Sequence, residues 1–298
     1  MFKTLFAILF ASVASLAAAQ QQVNLRFDAR VGNEPLACGR AYMTADTPFQ
    51  VQDFRLYVHD VALLREDGSA VPVLLAQDGR WQRDRVALLD FEDKSGECGN
   101  GTVDTRKAVS GSVPAGKFTG VRFTLGVPFE QNHQDATIAH APFNLSALFW
   151  NWRGGYKFAR IDLATRTADG RPHAFPIHLG STQCMPAGMA GGMAPAGGHG
   201  AHGGGHGGGA GMNVPPASCA NPNRVTVELR DFDVARDIVV ADLAALLAGT
   251  NIRVNHGEAP GCMSAPNDND CIAIMKNLGI PYRGVTGEQR FFRAARAN

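Results

Sequence analysis

Short runs of alternating apolar and polar residues fill the first two-thirds of the chain, and turn residues such as Asp67-Gly68 and Asp169-Gly170 separate them. Alternation with a period of two residues predicts strands with one buried face. The predicted strands are residues 23–27, 54–64, 85–91, 118–127, 156–163, 173–179 and 224–232. Many short strands between turns are typical of a mainly β, antiparallel, sandwich-like domain.

The pattern changes to a helical one in the C-terminal part, residues 237–298. Ala and Leu recur at helix-compatible spacing over residues 238–247, and Gly249 follows as a stop signal. Asp268, Asn269 or Asp270 can cap a second helix that runs to residue 278. We therefore expect short C-terminal helices, and a further short helix over residues 143–149.

The N-terminus has the pattern of a secretory signal peptide. Lys3 precedes an apolar run over residues 5–16, and small residues at 17–19 offer a cleavage site. The run is short for a membrane span, although a retained anchor is the alternative. We expect cleavage after residue 19, a single mature domain over residues 20–298 without a transmembrane segment, and a periplasmic, cell-surface or secreted location.

Charge excludes one class of partner. The chain has 28 basic and 27 acidic residues, so removal of Lys3 with the signal leaves 27 of each. No basic stripe is present in the sequence, and we therefore expect no nucleic-acid partner.

Six cysteines in an exported chain predict disulfide bonds. The sequence alone does not fix their pairing. Pairing neighbours along the chain gives Cys38–Cys98, Cys184–Cys219 and Cys262–Cys271, each closing a separate section. A thiolate metal site is the alternative, but there is no CxxC pair and export oxidises thiols.

Residues 186–216 form a Gly/His/Met-rich segment that cannot bury a core, so we interpret them as a flexible loop inserted into the β-domain. Thioethers favour Cu(I), and imidazole binds copper among other ions. The segment is therefore either a secondary copper-binding loop or a spacer. Its metal-capable residues, with the flanking methionine, are Met185, Met189, Met193, His199, His202, His206 and Met212.

Three histidines lie within or beside predicted strands: His59, His133 and His178. Neutral imidazole is a good ligand for copper, zinc, iron or nickel. Asp60 or Asp135 could accept a hydrogen bond from the ring N–H that does not bind the metal. A single histidine in a strand more often only exchanges hydrogen bonds.

Other candidates are weaker. Trp150 and Trp152 lie in an aromatic segment that favours core packing, with a sugar-binding platform as the alternative. Asp90, Glu92 and Asp93 favour a solvated acidic turn over a calcium site or paired catalytic carboxylates. No hydrolase, zinc-protease or nucleotide-binding motif lies in a suitable context, which favours a metal-binding protein over an enzyme.

The linear order of these pieces resembles the MbnP-like family, also called metallo-mystery pair four-Cys motif proteins, which includes MbnP/CorA-like copper-binding proteins. The resemblance covers most of residues 23–233. The matching stretches are residues 54–61, 88–93 with Cys98 and Gly101-Thr102, Val113-Pro114, 120–128, 132–135, 150–152 with 155–158, 178–182 with Cys184, Cys219, and 260–264.

The resemblance implies an exported copper-binding protein that is partner and substrate of a di-haem, peroxidase-like protein of the MbnH type. That partner oxidises a tryptophan to kynurenine, whose amine and ketone can approach a metal where indole cannot. His59 and His133 are then the expected copper ligands, and His178 is a third. Trp150 and Trp152 are the modification candidates, and we prefer Trp150.

The long insertion departs from the compact family pattern, so the tighter site could lie in the core or in the loop. Two other functions stay open. One is a metal-dependent secreted enzyme, either a copper oxidase or monooxygenase or a hydrolase. The other is a surface interaction module with incidental histidines.

Overall fold

A computed structural model describes residues 19–151, 153–187, 215–257 and 259–297. The predicted signal peptide up to residue 18, Trp152 and residues 188–214 of the insertion lie outside the described residues.

The described chain is built mainly from strands. In chain order they are β1 Gln20–Val31, β2 Glu34–Pro35, β3 Ala41–Thr44, β4 Thr47–Leu64, β5 Ala70–Pro72, β6 Leu74–Leu75, β7 Gln82–Arg83, β8 Val86–Asp90, β9 Ala108–Pro114, β10 Gly120–Leu125, β11 Phe149–Asn151, β12 Gly155–Tyr156, β13 Ala159–Arg166, β14 Pro172–Leu179, β15 Thr182–Met185, β16 Ser218–Asn221, β17 Val225–Arg230, β18 Asp237–Asp242 and β19 Phe292–Arg296. The helices are α1 Phe129–Asn132, α2 Leu243–Leu247 and α3 Cys271–Asn277, with a 3-10 turn at Ser146–Leu148.

Two large sheets carry most of these strands. The smaller follows the order β19-β18-β1-β9-β6, and the larger follows β14-β13-β4-β10-β17, with β3, β5 and β8 also paired to β4. Pairing is antiparallel, as predicted, except that β1 and β18 run parallel. Small hairpins, β11–β12 and β15–β16, lie outside both sheets.

The apolar faces of the two sheets meet in the core. Along β1 every second residue from Val23 to Val31 is buried, which is the alternation seen in the sequence. Phe27 of β1 meets Phe123 of β10 edge-to-face, with ring centroids 5.4 Å apart. Phe292 of β19 meets the same Phe123 ring at 5.1 Å. This contact between sheets confirms the sandwich-like fold.

The long strand β4 carries two different buried faces. Its pairing with β13 shifts register between Val51 and Asp53. The alternation of core-facing residues along β4 therefore moves by one position there. Phe54 then packs toward the smaller-sheet side against Phe291, 6.2 Å away. Tyr57 points to the opposite face of the larger sheet, where other chain segments cover it.

The helix predicted over residues 238–247 is wrong in its first half. Asp237–Asp242 is strand β18, buried along its whole length between β1 and β19. Ile238, Val239 and Val240 are β-branched, and a central strand with two buried faces reads as an unbroken apolar run that periodicity cannot separate from a helix. Only α2 is helical, and the Asp242 side chain caps it at the N–H of Ala244.

The other predicted helices are shorter than expected. Residues 143–149 contain only the 3-10 turn. The buried side chains in this segment, Phe143 and Leu148, are five positions apart, a spacing that does not place them on one face of an α-helix. The last predicted helix forms as α3. The C-terminal part therefore combines short helices with strands β18 and β19. No helix in the described part of the chain is long and apolar enough to cross a membrane.

Three disulfides connect Cys38–Cys98, Cys184–Cys219 and Cys262–Cys271, the pairs expected from chain order. No cysteine is left free. The second pair joins β15 to β16 at the base of the Gly/His/Met-rich insertion.

Candidate metal-binding site

The outer face of the larger sheet is covered by the connection between β10 and β13. Tyr57 on this face stacks on Phe143 at 5.8 Å and donates its hydroxyl to the carbonyl of Pro142 at 2.7 Å. It also meets Tyr156 edge-to-face at 5.9 Å. His59 lies two residues further along β4, on the same face, and only 5% of it is exposed.

His59 presents one ring nitrogen that has no partner. Its Nδ1 lies 2.9 Å from Oδ2 of Asp60, which fixes the proton on that nitrogen and leaves the lone pair on Nε2. Nε2 is buried and has no hydrogen-bond partner among the described residues. Burial lowers the pKa of His59 despite the neighbouring carboxylate, so the ring is neutral at pH 7.

The carboxylate behind His59 is itself fixed in place. Asp60 adopts a φ of 52°, at the point where the β4–β10 pairing becomes irregular, and its side chain folds back onto the preceding residue. Arg85 donates to Asp60 at 3.0 Å and also pairs with Glu130 of α1. Arg85 therefore connects α1 to the carboxylate that orients His59.

Arg224, which the sequence analysis missed, adds a positive charge beside His59. Its Nε donates to the carbonyl of Val127 at 2.6 Å, and its guanidinium lies 5.4 Å from the centre of the Phe158 ring. Its charge contributes to the lowered pKa of His59. One guanidinium nitrogen, Nη2, is buried without a partner in the structure described, as is Oε1 of Gln131. No sequence motif marks either residue, because only folding brings β17 and α1 to this face.

His133 ends α1 and is oriented by its neighbour. The Asn132 amide oxygen accepts the backbone N–H of Tyr156 at 2.9 Å, so the amide nitrogen faces Nε2 of His133 at 3.2 Å as a donor. Nε2 therefore carries the ring's lone pair. The His133 ring also meets Phe129 edge-to-face at 5.0 Å. Asp135 accepts hydrogen bonds from Thr137.

His133 lies next to a disulfide. Its Nε2 is 3.6 Å from Sγ of Cys219, and its ligand atom and those of Cys184 and Cys219 all lie within 4.8 Å of one another. In the described part of the chain this is the only group of three or more His, Cys, Asp or Glu residues so closely spaced. The predicted ligands His59, His133 and His178 therefore do not form one such cluster.

His178 belongs to an ionic network. Its Nε2 lies 2.7 Å from Asp162, which also accepts from Arg160 at 2.8 Å. Although burial opposes it, the hydrogen bonds from His178 and Arg160 lower the pKa of Asp162 to about 2. Arg160 in turn pairs with Asp53 at 3.1 Å. These contacts account for Nε2 of His178, and its other ring nitrogen is not among the buried, unpartnered atoms of the described residues.

Trp150 lies half-buried on β11, in contact with two glycines. A Cβ at Gly180 would lie 2.4 Å from Cζ3 of the indole, and one at Gly154 would lie 3.1 Å from Cε3. Phe149 next to it packs on Tyr156, with centroids 5.0 Å apart. Trp150 therefore lies in the chain segment that covers the outer face of the larger sheet. Trp152 lies outside the described residues.

The acidic segment that begins with the last residue of β8 is not the solvated turn that the sequence favours. Asp90 is 1% and Glu92 0% exposed, and only Asp93 is on the surface. Asp90 lies opposite Arg55 in the β4–β8 ladder. Burial, followed by the charge of Glu92, raises the pKa of Asp90 to about 8. The correction follows from tertiary burial, which local polarity does not predict.

Of the secondary metal loop, only Met185 belongs to the described residues. Met185 is the last residue of β15. Met189, Met193, His199, His202, His206 and Met212 lie outside the described residues.

Comparison with known proteins identifies relatives. The family model MbnP matches residues 20–264. Among solved structures, the fold is similar to MbnP from Methylosinus trichosporium with a TM-score of 0.75 and 27% identity, covering 94% of this chain and all of that one. No curated protein matches the chain. Because the family model spans well over half of its residues, the chain belongs to the MbnP family.

Proposed function

We propose that this protein is an exported copper-binding protein in which His59 is the principal ligand and His133 a second one. The observation that carries the proposal is the buried, unpartnered Nε2 of His59. A buried polar atom without a partner is costly, and a bound ion at this atom would remove that cost.

The surroundings of His59 fit a metal ligand. Histidines that bind metals commonly donate their second ring N–H to a carboxylate, and Asp60 occupies that position. The lowered pKa of His59 keeps the lone pair free of a proton at neutral pH. Asp162 pairs with one ring nitrogen of His178 in the same way, but we leave His178 out of the site because its other ring nitrogen is not among the buried, unpartnered atoms of the described residues.

Copper is preferred over other ions for two reasons. The MbnP family is expected to handle copper, and imidazole nitrogen suits copper well. Arg224 also places a positive charge beside His59, which disfavours a doubly charged ion more strongly than Cu(I).

We further propose that a di-haem, MbnH-type partner oxidises Trp150 to kynurenine. The half-exposed position of Trp150 leaves part of the indole within reach of an oxidant. The partner's oxidant adds two oxygen atoms as the indole C2–C3 bond breaks, and water then releases the formyl carbon as formate, so that the net change in the residue equals a gain of O₂ and a loss of CO. Peptide mapping of protein produced with and without the partner tests this step. Unmodified Trp150 and Trp152 in the presence of an active partner would contradict it.

The copper proposal is tested by metal analysis after loading and desalting. Native protein should retain about one copper ion per chain, and His59→Ala should retain little, because an imidazole ligand is lost. The matched control is His256→Ala. His256 also pairs its Nδ1 with a carboxylate, at 2.8 Å from Asp270, but its side chain is half-exposed. Equal copper in native protein and His59→Ala would overturn the proposal.

Deletion of residues 186–216 separates the core from the loop. Retention of about one ion by the folded deletion variant would assign the specific site to the core. Complete loss from a protein with an unchanged circular dichroism spectrum would move the site to the Gly/His/Met-rich segment. Metal-dependent turnover abolished by His133→Ala would instead favour an enzyme.

A further inference from the structure

The Cys184–Cys219 disulfide and His133 form a second group of atoms that can bind a metal once the sulfurs are reduced. The Cys184 and Cys219 sulfurs and a nitrogen of His133 lie within 4.8 Å of one another. As a disulfide the sulfurs are poor ligands, since the thiolate is the form that binds metal. As thiolates, the same two sulfurs with one imidazole are a donor set that suits soft cations such as Cu(I), and also zinc.

The backbone holds this set together independently of the S–S bond. Cys184 and Cys219 are directly opposite in the β15–β16 pair, between the pairs Thr182–Asn221 and Met185–Ser218. Beyond the strand ends, the N–H of Ala217 donates to the carbonyl of Met185 at 2.9 Å. Because this hairpin belongs to neither large sheet, opening the disulfide leaves the sandwich core intact.

We propose that reduction of Cys184–Cys219 by a dithiol converts this cluster into a soft-metal site made of two thiolates and His133. The dithiol becomes a disulfide and gives two electrons to the S–S bond, which takes up two protons to become two thiols. A divalent soft cation then displaces both thiol protons. The oxidised form has no such site, so the redox state of this pair controls metal binding.

Among the described residues, this disulfide is the one that combines a partly exposed sulfur with a histidine donor beside it. Exchange requires a thiolate to reach one of the two sulfurs. Cys219 is partly exposed, whereas Cys262 and Cys271 are 1% and 0% exposed. In the third pair Cys98 is fully buried and Cys38 is partly exposed, but no metal-binding side chain is grouped with them among the described residues.

The inference shares His133 with the proposed copper site but does not depend on His59. The test measures thiolate-to-metal charge transfer, an absorption that a histidine ligand does not produce. Full-length oxidised protein is reduced with limiting dithiothreitol, freed of reductant without oxygen, and titrated with Cd²⁺. The measurement is the ultraviolet absorption of thiolate-to-cadmium charge transfer. We expect about one equivalent to bind in the reduced protein, and no such absorption in the oxidised protein.

Two variants and one chemical control decide the outcome. Cys184→Ser/Cys219→Ser should show no thiolate absorption after the same treatment. His133→Gln should bind cadmium at least about tenfold more weakly, because a ligand is lost. If the serine variant does not fold, alkylation of the reduced native protein, with mapping of the labelled cysteines, replaces it. Absence of the absorption in reduced native protein, or its persistence when these two cysteines are blocked, would overturn the inference.

Discussion

His59 and His256 show how neighbouring residues assign different roles to similar histidines. Each places Nδ1 within 2.9 Å of a carboxylate oxygen. The His256 side chain is half-exposed, so water can satisfy its second nitrogen. The second nitrogen of His59 is buried and has no partner in the described structure. Burial therefore distinguishes a candidate ligand from an ordinary surface ion pair.

The carboxylate behind His59 gives the first prediction. Asp60→Asn should weaken copper binding by about 10- to 100-fold, because the group that orients the ring and raises its basicity is lost. Competition with a copper chelator measures the affinity. The control is Asp231→Asn, since Asp231 is exposed and has a similar φ of 54°. Equal weakening in both variants would contradict the assigned role.

At the scale of elements, hairpin β11–β12 depends on a glycine in another segment. Trp150 packs against Gly180, which follows β14 and donates its N–H to Ser264 at 3.2 Å. A side chain at residue 180 would occupy the space of the indole. The position of the proposed modification site is thus fixed by packing between elements that are distant in sequence.

Gly180→Ala should displace Trp150. A Cβ there would lie 2.4 Å from the indole and 3.0 Å from the carbonyl of Tyr156. Overpacking of this kind costs about 1–3 kcal/mol in free energy of unfolding. Urea denaturation measures that cost, and peptide mapping should show less kynurenine at residue 150. Gly99→Ala is the control, because nothing lies within 4 Å of its added Cβ. Identical results for the two variants would refute the packing argument.

At the scale of the whole molecule, two sheets share one aromatic core. Phe123 of the larger sheet contacts Phe27 and Phe292 of the smaller one. The larger sheet also carries buried charges, including Arg55 beside Asp53 and Asp90. The first feature holds the sandwich together, and the second makes its stability depend on pH.

Phe123→Ala should lower the free energy of unfolding by about 3–5 kcal/mol, because it leaves a cavity between the sheets. Chemical denaturation of metal-free protein measures the change. Met43→Ala, at a side chain that is 56% exposed, should have little effect. A loss below about 1 kcal/mol for Phe123→Ala would show that the sheets do not depend on this contact.

The contribution of Asp90 to stability should fall as the pH rises from about 4 to about 8. The pKa of Asp90 is raised from 3.8 to about 8, so the folded state binds this proton more tightly than the unfolded state does. The stabilisation is therefore complete at a pH below the pKa of Asp90 in the unfolded state, and it is lost as the pH rises through the pKa of Asp90 in the folded state. Asp90→Asn, which resembles the protonated acid, should flatten this part of the Tm profile. A Tm profile unchanged by the substitution would assign the dependence to other groups.

Sequence by itself determined much of the fold. Alternation in segments such as residues 23–27 and 54–64 predicts strands, because a half-buried strand needs an apolar residue at every second position. The presence of disulfides also followed from the sequence, whereas their pairing, which matches chain order, was fixed only by the structure. Together with the family resemblance, these features indicated a mainly β, disulfide-linked MbnP-like protein.

Tertiary structure decided the rest. It made residues 237–242 a central strand, because burial on both faces removes the periodicity that distinguishes strand from helix. It buried Asp90, placed Arg224 beside His59, and brought His133 to the Cys184–Cys219 disulfide. Such contacts join residues far apart in sequence, so no local pattern contains them, and the chemistry of the candidate site depends on them.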